Sequence, residues 1–452
     1  MTTPLLATKL YIPPTRLELV HRSRLIEQLN AGLSWKFTLI SAPAGFGKTT
    51  LLSAWAEQSA RPLAWLTLDD EDNNPARFLA YFVSAIQSVG VDLNIDPQSL
   101  IQSRQLPPID NTLTLIINSI AAAQTAFILV LDDYHLIETS SIHQALNFFL
   151  EQLPYQNHLV IATRADPDFP LARLRGRGQI NELRAKDLRF TVEETSAFVQ
   201  QVVGADISPE QIAALNTSTE GWIAGLQMAA VSMRGVDDIP AFISTFSGNH
   251  RYIVDYLVDE VLAQCSSATR DFLLQTSILE RMTAPLCDSL TGRSDSQPTL
   301  EWLEQDNLFT IPLDQRREWY RYHHLFADLL CHKLQQTYPD RIEELHARAN
   351  QWMEGNGFLN QAINHALELV DKHRAANLIE RHAKTLLYRG YDQAQNLLAW
   401  YDLLPEELIR ARPLLSVFQA WTLVFDSPFK NSTEIEKLLA HTRKSLGDAD
   451  LD

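Results

Sequence analysis

The sequence predicts a multidomain protein of class α/β plus α, in which a parallel-sheet unit is followed by units that are almost wholly helical. Three observations carry this. Apolar runs of strand length alternate with helical patterns from Phe37 to about Thr163. One of the junctions reads SAPAGFGKTT, from Ser41 to Thr50. Past Phe190 the strand signal fades and helical periodicity takes over, broken by one short hairpin. At 452 residues the chain is too long for one hydrophobic core, so several domains are required. A low glycine count of 16 with 46% apolar residues fits a folded, helix-rich protein.

The elements follow in order. Residues 1–30 form an arm, with Pro13-Pro14 in an extended stretch and then a helix through Leu25 and Leu29. Residues 31–190 form the α/β unit. Its strands are expected at Phe37–Ile40, Leu63–Leu68, Phe127–Leu131 and His158–Thr163. Helices are expected after Thr49, at Pro75–Val89, at Leu113–Ala123 and at Ile142–Leu150. Phe127 to Leu131 is continuously apolar, as a strand buried on both faces must be. Residues 191–245 read as a small helical subdomain. Thr191-Val192-Glu193-Glu194 is a capping box, Pro209 stands at a first helical position after Ser208, and a third helix runs through Gln227 and Met228.

In residues 246–335 three helices lead to a hairpin with arms Leu308–Leu313 and Trp319–Tyr322, the order of a winged-helix domain. Residues 336–452 are helical. Gly357 and Gly390, and likewise Ala362 and Ala394, recur at about one tetratricopeptide period, which predicts the start of a TPR-like array.

The chemistry centres on the glycine-containing junction. Strand, turn and helix N-terminus make the context of a phosphate-binding loop. Gly45 and Gly47 free the backbone N–H groups of Ala44, Gly45, Phe46, Gly47, Lys48, Thr49 and Thr50 to face an anion, and the helix start adds partial positive charge. Lys48 would reach the β- and γ-phosphates, and the Thr49 hydroxyl would bind Mg²⁺. The first glycine of the generic pattern is Ala42 here. A second element, ILVLDD, ends in Asp132 and Asp133. One carboxylate can hold Mg²⁺, and the adjacent one can orient or deprotonate a water. Arg164 follows the strand His158–Thr163, where a planar cation can sense a γ-phosphate. Asp69 to Asp72 read as a solvated loop, and Trp222, Trp302, Trp319 and Trp352 as core or interface residues.

Composition excludes other classes. A formal charge of −17 opposes binding of nucleic acid or an anionic membrane by the chain as a whole. Three cysteines, Cys265, Cys287 and Cys331, have neither disulfide nor zinc spacing. With neither a signal-peptide core nor an apolar run of spanning length, cytoplasm is the expected location.

Together the chain resembles the signal-transduction ATPases with numerous domains (STAND), and within them the MalT-like branch of LuxR-type transcriptional regulators. The resemblance spans nearly the whole chain. It rests on LLATKLYIPPTR, LVHRSRLIEQL, SAPAGFGKTT, ILVLDDYH, LVIATRADP, LARLRGRGQINELRAKDLRFT, TEGWIAGLQ and WYRYHHLFADLL. Members of this branch commonly carry Ala at the position of Ala42. The resemblance implies that Val20 and Arg22 lie against adenine, with His21 where a glycine is usual. It makes Asp132 the Mg²⁺-site acid, Asp133 the catalytic acid and Arg164 the sensor arginine. Tyr322-His323-His324-Leu325 resembles a Met-His-Asp-Leu signature, which implies that His323 contacts the β-phosphate of ADP. Gly225-Leu226-Gln227 loosely matches a Gly-x-Pro motif of the helical subdomain.

The expected function is an ATP/ADP-dependent switch with slow hydrolysis that controls self-association and answers to a small-molecule or protein inducer. DNA would be bound only through a C-terminal domain absent from this chain, and no membrane is involved. The alternatives are a bacterial immunity sensor on the same ATPase core, or an AAA+-like ATPase with a different effector.

Overall fold

The computed structural model describes residues 5–15, 19–102, 109–204, 207–234, 236, 238–387, 391–426 and 432–446. They form two compact units. The first contains Met1–Cys265, Glu301–Ile311 and Tyr322–Leu329; the second contains Ser266–Leu300, Pro312–Arg321 and Leu330–Asp452.

The first unit is built on five strands: β1 (Phe37–Ser41), β2 (Leu63–Thr67), β3 (Ile128–Asp132), β4 (His158–Thr163) and β5 (Ile180–Arg184). Their order is β2-β3-β4-β1-β5, and every pairing is parallel. β1, β3 and β4 are buried along their full length, which is why they read as unbroken apolar runs. β5 was not expected. Its sequence, Ile-Asn-Glu-Leu-Arg, is too polar for such a run because it is an edge strand, hydrogen-bonded only to β1. The strand expected at Phe127–Leu131 lies one residue later and so takes in Asp132 itself.

The helices of this part are α1 (Ser23–Gly32), α2 (Lys48–Gln58), α3 (Pro75–Ser88), α4 (Pro97–Gln102), α5 (Ile109–Ala123), α6 (Ser140–Gln152), α7 (Leu171–Gly176) and α8 (Ala185–Leu188). Helix α4 was not foreseen, and α5 starts four residues before the expected Leu113. One face of the sheet carries Phe37, Leu39, Leu66, Leu129 and Ile161 into a core with Phe78 and Phe82 of α3, Ile116 of α5 and Phe149 of α6. The fully buried Trp55 of α2 hydrogen-bonds through its indole N–H to Asn30 Oδ1 of α1 (2.8 Å), tying those two helices together.

The N-terminal arm is fastened by charge. Lys9 Nζ pairs with Asp72 and with Asp69 (2.9 Å), and Arg77 Nε donates to Asp72 Oδ1 (3.0 Å). Asp72 is fully buried, so its two cationic partners offset a large desolvation cost. Asp69 to Asp72, expected to be solvated, thus includes a buried anchor. Arg16 of the arm lies outside the described residues.

Helices α9 (Val192–Val203), α10 (Pro209–Thr219), α11 (Ile223–Met233) and α12 (Ile239–Thr245) make up the helical segment, followed by α13 (Arg251–Glu260). The capping boxes at Thr191–Glu194 and Ser208–Gln211 are both formed. Then come α14 (Ser267–Thr276), α15 (Ala284–Thr291), α16 (Ser296–Gln305), the hairpin strands β6 (Thr310–Pro312) and β7 (Tyr320–Tyr322), and α17 (His324–Thr337). Four helices rather than three therefore precede the hairpin. Its first arm is shorter than expected because Asn307 and Phe309 adopt φ of 51°, which no strand permits.

The second unit continues with α18 (Ile342–Gly355), α19 (Leu359–Leu367), α20 (His373–Leu387), α21 (Tyr391–Asp402), α22 (Glu406–Arg410), α23 (Pro413–Asp426) and α24 (Ser432–Leu446). Ala349, Met353, Ala362, Ile363, Ala375 and Ile379 are buried, the small residues allowing close helix packing. Gly357, at φ 82°, turns α18 into α19. Gly390 and the side chain of Ala394 lie outside the described residues.

The arm anchor gives a stability test. Asp72→Ala strands the buried Lys9 beside Asp69 alone, and breaking a buried pair from one side costs about 3–5 kcal/mol. Urea unfolding followed by circular dichroism should show the first transition moved to lower denaturant.

Candidate nucleotide-binding site

The strand order sets the site. One strand, β4, is inserted between the loop-bearing β1 and the acidic β3. In register, Ser41 pairs with Thr163, and Leu131 with Ile161, so the carboxyl ends of all three strands share one edge. Ligands of open parallel sheets bind at that edge. Arg164, the residue after β4, therefore stands between the loop and the two aspartates.

The loop itself runs from Ala42 to Gly47 and delivers Lys48 and Thr49 as the first residues of α2. Gly45 and Gly47 have φ of 76° and 75°. A Cβ on Gly45 would lie 2.5 Å from Ala224 Cβ and 2.9 Å from Tyr256 Oη, so both backbone angle and space demand glycine there. Ala42 is wholly buried and is not among the residues with positive φ, which explains why the departure from glycine is tolerated.

Lys48 is 8% exposed, and its Nζ donates to the Ala42 carbonyl (2.7 Å) and the Pro43 carbonyl (3.0 Å). Burial first, then the neighbouring Arg164, lowers its pKa to about 8. The Thr49 hydroxyl donates to Asp132 Oδ2 (2.8 Å), and the Asp133 N–H donates to Asp132 Oδ1 (3.1 Å). Asp132 is 1% exposed, and its pKa is pushed up to about 6 by burial and then by Asp133. A buried carboxylate beside a hydroxyl, under that penalty, is a donor set that fits a hard divalent cation. Asp133 sits in the left-handed region, φ 55°, and is more exposed than Asp132.

Two cavities flank the loop. The apolar one, of about 270 Å³, is lined by Val20, Arg22, Gly45, Gly47, Thr50 and Phe190, with Ile223 and Gln227 opposite. Arg22 Nη2 donates to the carbonyls of Leu188 (2.8 Å) and Arg189 (2.9 Å), and its guanidinium lies 4.7 Å from the Phe190 ring centroid. Its Nε and Nη1 are buried with no partner among the described residues. The polar cavity, of about 760 Å³, is lined by Pro43, Ala44, Asp133, His135, Arg164 and Glu260, with Asp306 and Asn307. Burial, then Arg164 and Lys48, pushes the His135 imidazole down to about 3, so it is neutral. Burial alone pushes Asp306 up to about 6.

Of the predicted residues, Lys48, Thr49, Asp132, Phe46 and His323 line neither cavity, and the last two are packed among aromatic rings. Phe46 is buried and packs 6.3 Å from the Phe309 ring. His323 is 2% exposed, lines neither cavity, and has Nε2 3.0 Å from the Thr219 carbonyl, with its ring against Trp222 and Phe309. It reaches the loop through Trp222, whose indole N–H donates to the Ala44 carbonyl (3.1 Å), and through Phe309, whose ring packs on Phe46.

Trp222, expected as a core or interface residue, is fully buried and also clamps the loop. Beside it, the Ala224 N–H donates to the Gly45 carbonyl (3.0 Å), so the start of α11 holds the loop at two successive carbonyls. Its one sequence signal is the invariable apolar look of a buried indole, which does not distinguish a clamp from a core. His135, Glu260 and Asn307 were also missed. Asn307 Nδ2 donates to Ser41 Oγ (3.0 Å) and to the Arg164 carbonyl (2.8 Å), a contact made across a long sequence separation.

Residues 258–342 match the MalT winged helix domain. The HTH-type transcriptional regulator MalT of Cronobacter sakazakii is 34% identical over 437 residues, 96% of this chain and 48% of the relative. This chain is homologous to MalT over nearly its whole length. The serine/threonine-protein kinase PknK of Mycobacterium tuberculosis is 33% identical over 425 residues, 93% of this chain and 38% of the kinase. The chain thus spans about half or less of the length of these relatives. Among solved structures, a STAND protein with a tetratricopeptide repeat sensor from Pyrococcus horikoshii aligns with 97% of this chain and 60% of its own at 16% identity and TM-score 0.40. A Walker-type ATPase of Pyrococcus abyssi aligns with 70% of this chain and 98% of its own at 15% identity and TM-score 0.49. No helix among the described residues is long and apolar enough to cross a membrane.

The clamp is testable. Trp222→Phe keeps the ring but leaves the Ala44 carbonyl without its donor, costing about 0.5–1.5 kcal/mol, whereas Trp222→Ala opens a cavity and costs about 3–5 kcal/mol. Urea unfolding of both variants separates the two contributions, and a phenylalanine variant of unaltered stability would show that the hydrogen bond contributes nothing.

Proposed function

We propose that this chain is the nucleotide-responsive part of a MalT-like regulator: it binds ATP or ADP with Mg²⁺, hydrolyses ATP slowly and thereby controls self-association. The observation that carries the reading is a loop that delivers Lys48 and Thr49 beside Asp132, with an apolar cavity lined by Gly45, Gly47 and Thr50 and a polar one lined by Pro43, Ala44 and Asp133. An adenine ring fits the apolar side, where Val20, Phe190 and Ile223 offer surface and Arg22 keeps two N–H donors unused. The phosphates then follow the loop N–H groups toward Lys48, which exchanges the carbonyls of Ala42 and Pro43 for phosphate oxygens.

Thr49 and Asp132 are the residues that would hold Mg²⁺, whose positive charge would offset that of the β- and γ-phosphates. Asp133 faces the polar cavity and accepts a proton from water as the water oxygen bonds to the γ-phosphorus and the bond to the ADP oxygen breaks. Arg164 offers its guanidinium to the γ-phosphate oxygens. His323 acts at one remove, holding the Thr219 carbonyl beside Trp222 and through it the loop.

The expected division into an arm, a P-loop domain, a helical subdomain, a winged-helix domain and a TPR-like segment belongs to the same reading, as do a cytoplasmic location and an inducer that acts on the helical segment. Output is less constrained. The same stretch is matched in a protein named a transcriptional regulator and in one named a kinase, which supports a portable switch that serves different effectors. In the regulator reading, DNA is contacted by a part outside this chain.

Lys48→Ala should weaken both ATP and ADP about tenfold to more than a hundredfold, from the loss of a charge-assisted contact of about 1.5–3 kcal/mol. Titration calorimetry that finds equal affinities in the two proteins would remove the basis of the reading. Asp133→Asn should retain ATP but hydrolyse it at least about tenfold more slowly in single-turnover assays, since it cannot take the proton from water.

A further inference from the structure

The arginine that the nucleotide reading assigns to the γ-phosphate, Arg164, is already paired. Arg164 Nη2 lies 2.8 Å from Glu260 Oε2, the last residue of α13. Its other terminal nitrogen, Nη1, is buried and has no hydrogen-bond partner among the described residues. The main chain beneath is fixed, because Asn307 holds the Arg164 carbonyl and the Ser41 hydroxyl together. Arg164 and Glu260 line the polar cavity together with Asp133, His135, Pro43 and Ala44. The guanidinium therefore faces the cavity with one N–H edge taken by a carboxylate and one donor unused.

We infer that Glu260 competes with the γ-phosphate for Arg164, and so sets the preference of this conformation for a nucleoside diphosphate over a triphosphate. The inference rests on the nucleotide reading above and adds a residue to it. A phosphate-binding loop cradles the α- and β-phosphates, so only the third phosphate extends toward the end of the neighbouring strand β4. There a planar guanidinium recognises an oxyanion best with both edges of its fork. To engage the γ-phosphate in that way, Arg164 must release Glu260. While it remains, the carboxylate also places negative charge beside an incoming polyanion, and both effects weaken ATP alone.

The pairing is partly open to solvent, with side-chain exposures of 27% for Arg164 and 38% for Glu260. Its contribution is consequently modest, as a reversible competitor requires. Linkage makes the competition reciprocal: a γ-phosphate that takes Arg164 frees the end of α13 from β4 by the same factor that Glu260 costs the nucleotide. A covalent change is not needed. One cation exchanges one anion for another, and the end of a helix is released.

The experiment uses the full chain and measures the dissociation constants of ADP and of a non-hydrolysable ATP analogue, each with Mg²⁺, by calorimetry. Glu260→Gln keeps the shape and removes the charge. It should tighten the triphosphate about threefold to tenfold and leave ADP within about twofold, as expected for a partly exposed ion pair plus one nearby charge. Glu260→Asp keeps the charge and should stay near the unaltered protein. In an Arg164→Ala background most of the effect of Glu260→Gln should vanish. Equal changes for both nucleotides, or no change while both bind, would overturn the competition and leave the nucleotide reading intact. Failure of the unaltered chain to bind either nucleotide would overturn both. Thermal unfolding of Glu260→Gln close to that of the unaltered chain excludes a loss of fold as the cause.

Discussion

The whole arrangement depends on how a short, glycine-containing loop is kept open for an anion while packed against a second layer of protein. Two carbonyls of the loop, Ala44 and Gly45, accept hydrogen bonds from the Trp222 indole and the Ala224 N–H at the start of α11. With those carbonyls turned toward α11, the loop amides are free to face the other way. The same contact leaves no room for a side chain at Gly45, whose Cβ would meet Ala224, Trp222 and Tyr256. Conformation of the loop and position of the helical segment are therefore one constraint. His323 extends it by holding the Thr219 carbonyl and packing on Trp222.

That constraint divides the space around the loop by polarity. On one side the arm, the end of the α/β part and the helical segment supply Val20, Phe190, Phe198 and Ile223, which favour a flat apolar group. On the other lie Asp133 and Asp306 among several acids, a neutral imidazole and a guanidinium already paired to Glu260. A ligand apolar at one end and polyanionic at the other satisfies both sides. Burial is also the main cause of the two pKa shifts, holding Lys48 down and Asp132 up.

The homology to MalT and to a mycobacterial kinase, each over more than nine-tenths of this chain and half or less of the relative, gives the same physical picture a broader meaning. The residues that carry the site lie in the first unit, built on the sheet, the helical segment and the parts that close on its edge. Nothing in that chemistry specifies DNA or a protein substrate. A formal charge of −17 opposes binding of DNA by the chain as a whole.

Sequence alone determined what is local. The loop, its lysine and threonine, and the strand ending in Asp132 and Asp133 were legible because each is a short run in which residue type dictates backbone conformation or burial. The capping boxes and the strands buried on both faces were legible for the same reason. The edge strand β5 was not, since only its single neighbour shows that a polar, alternating stretch is a strand. Tertiary structure alone decided the relations between distant residues. It placed Arg164 between the loop and the acids through strand order, and paired it with Glu260. It also gave the buried Trp222 its partner on the loop and withdrew His323 from the cavities into a packed layer behind the loop. A side chain's type limits the bonds it can make, but which partner it meets depends on how elements tens to hundreds of residues apart are brought together.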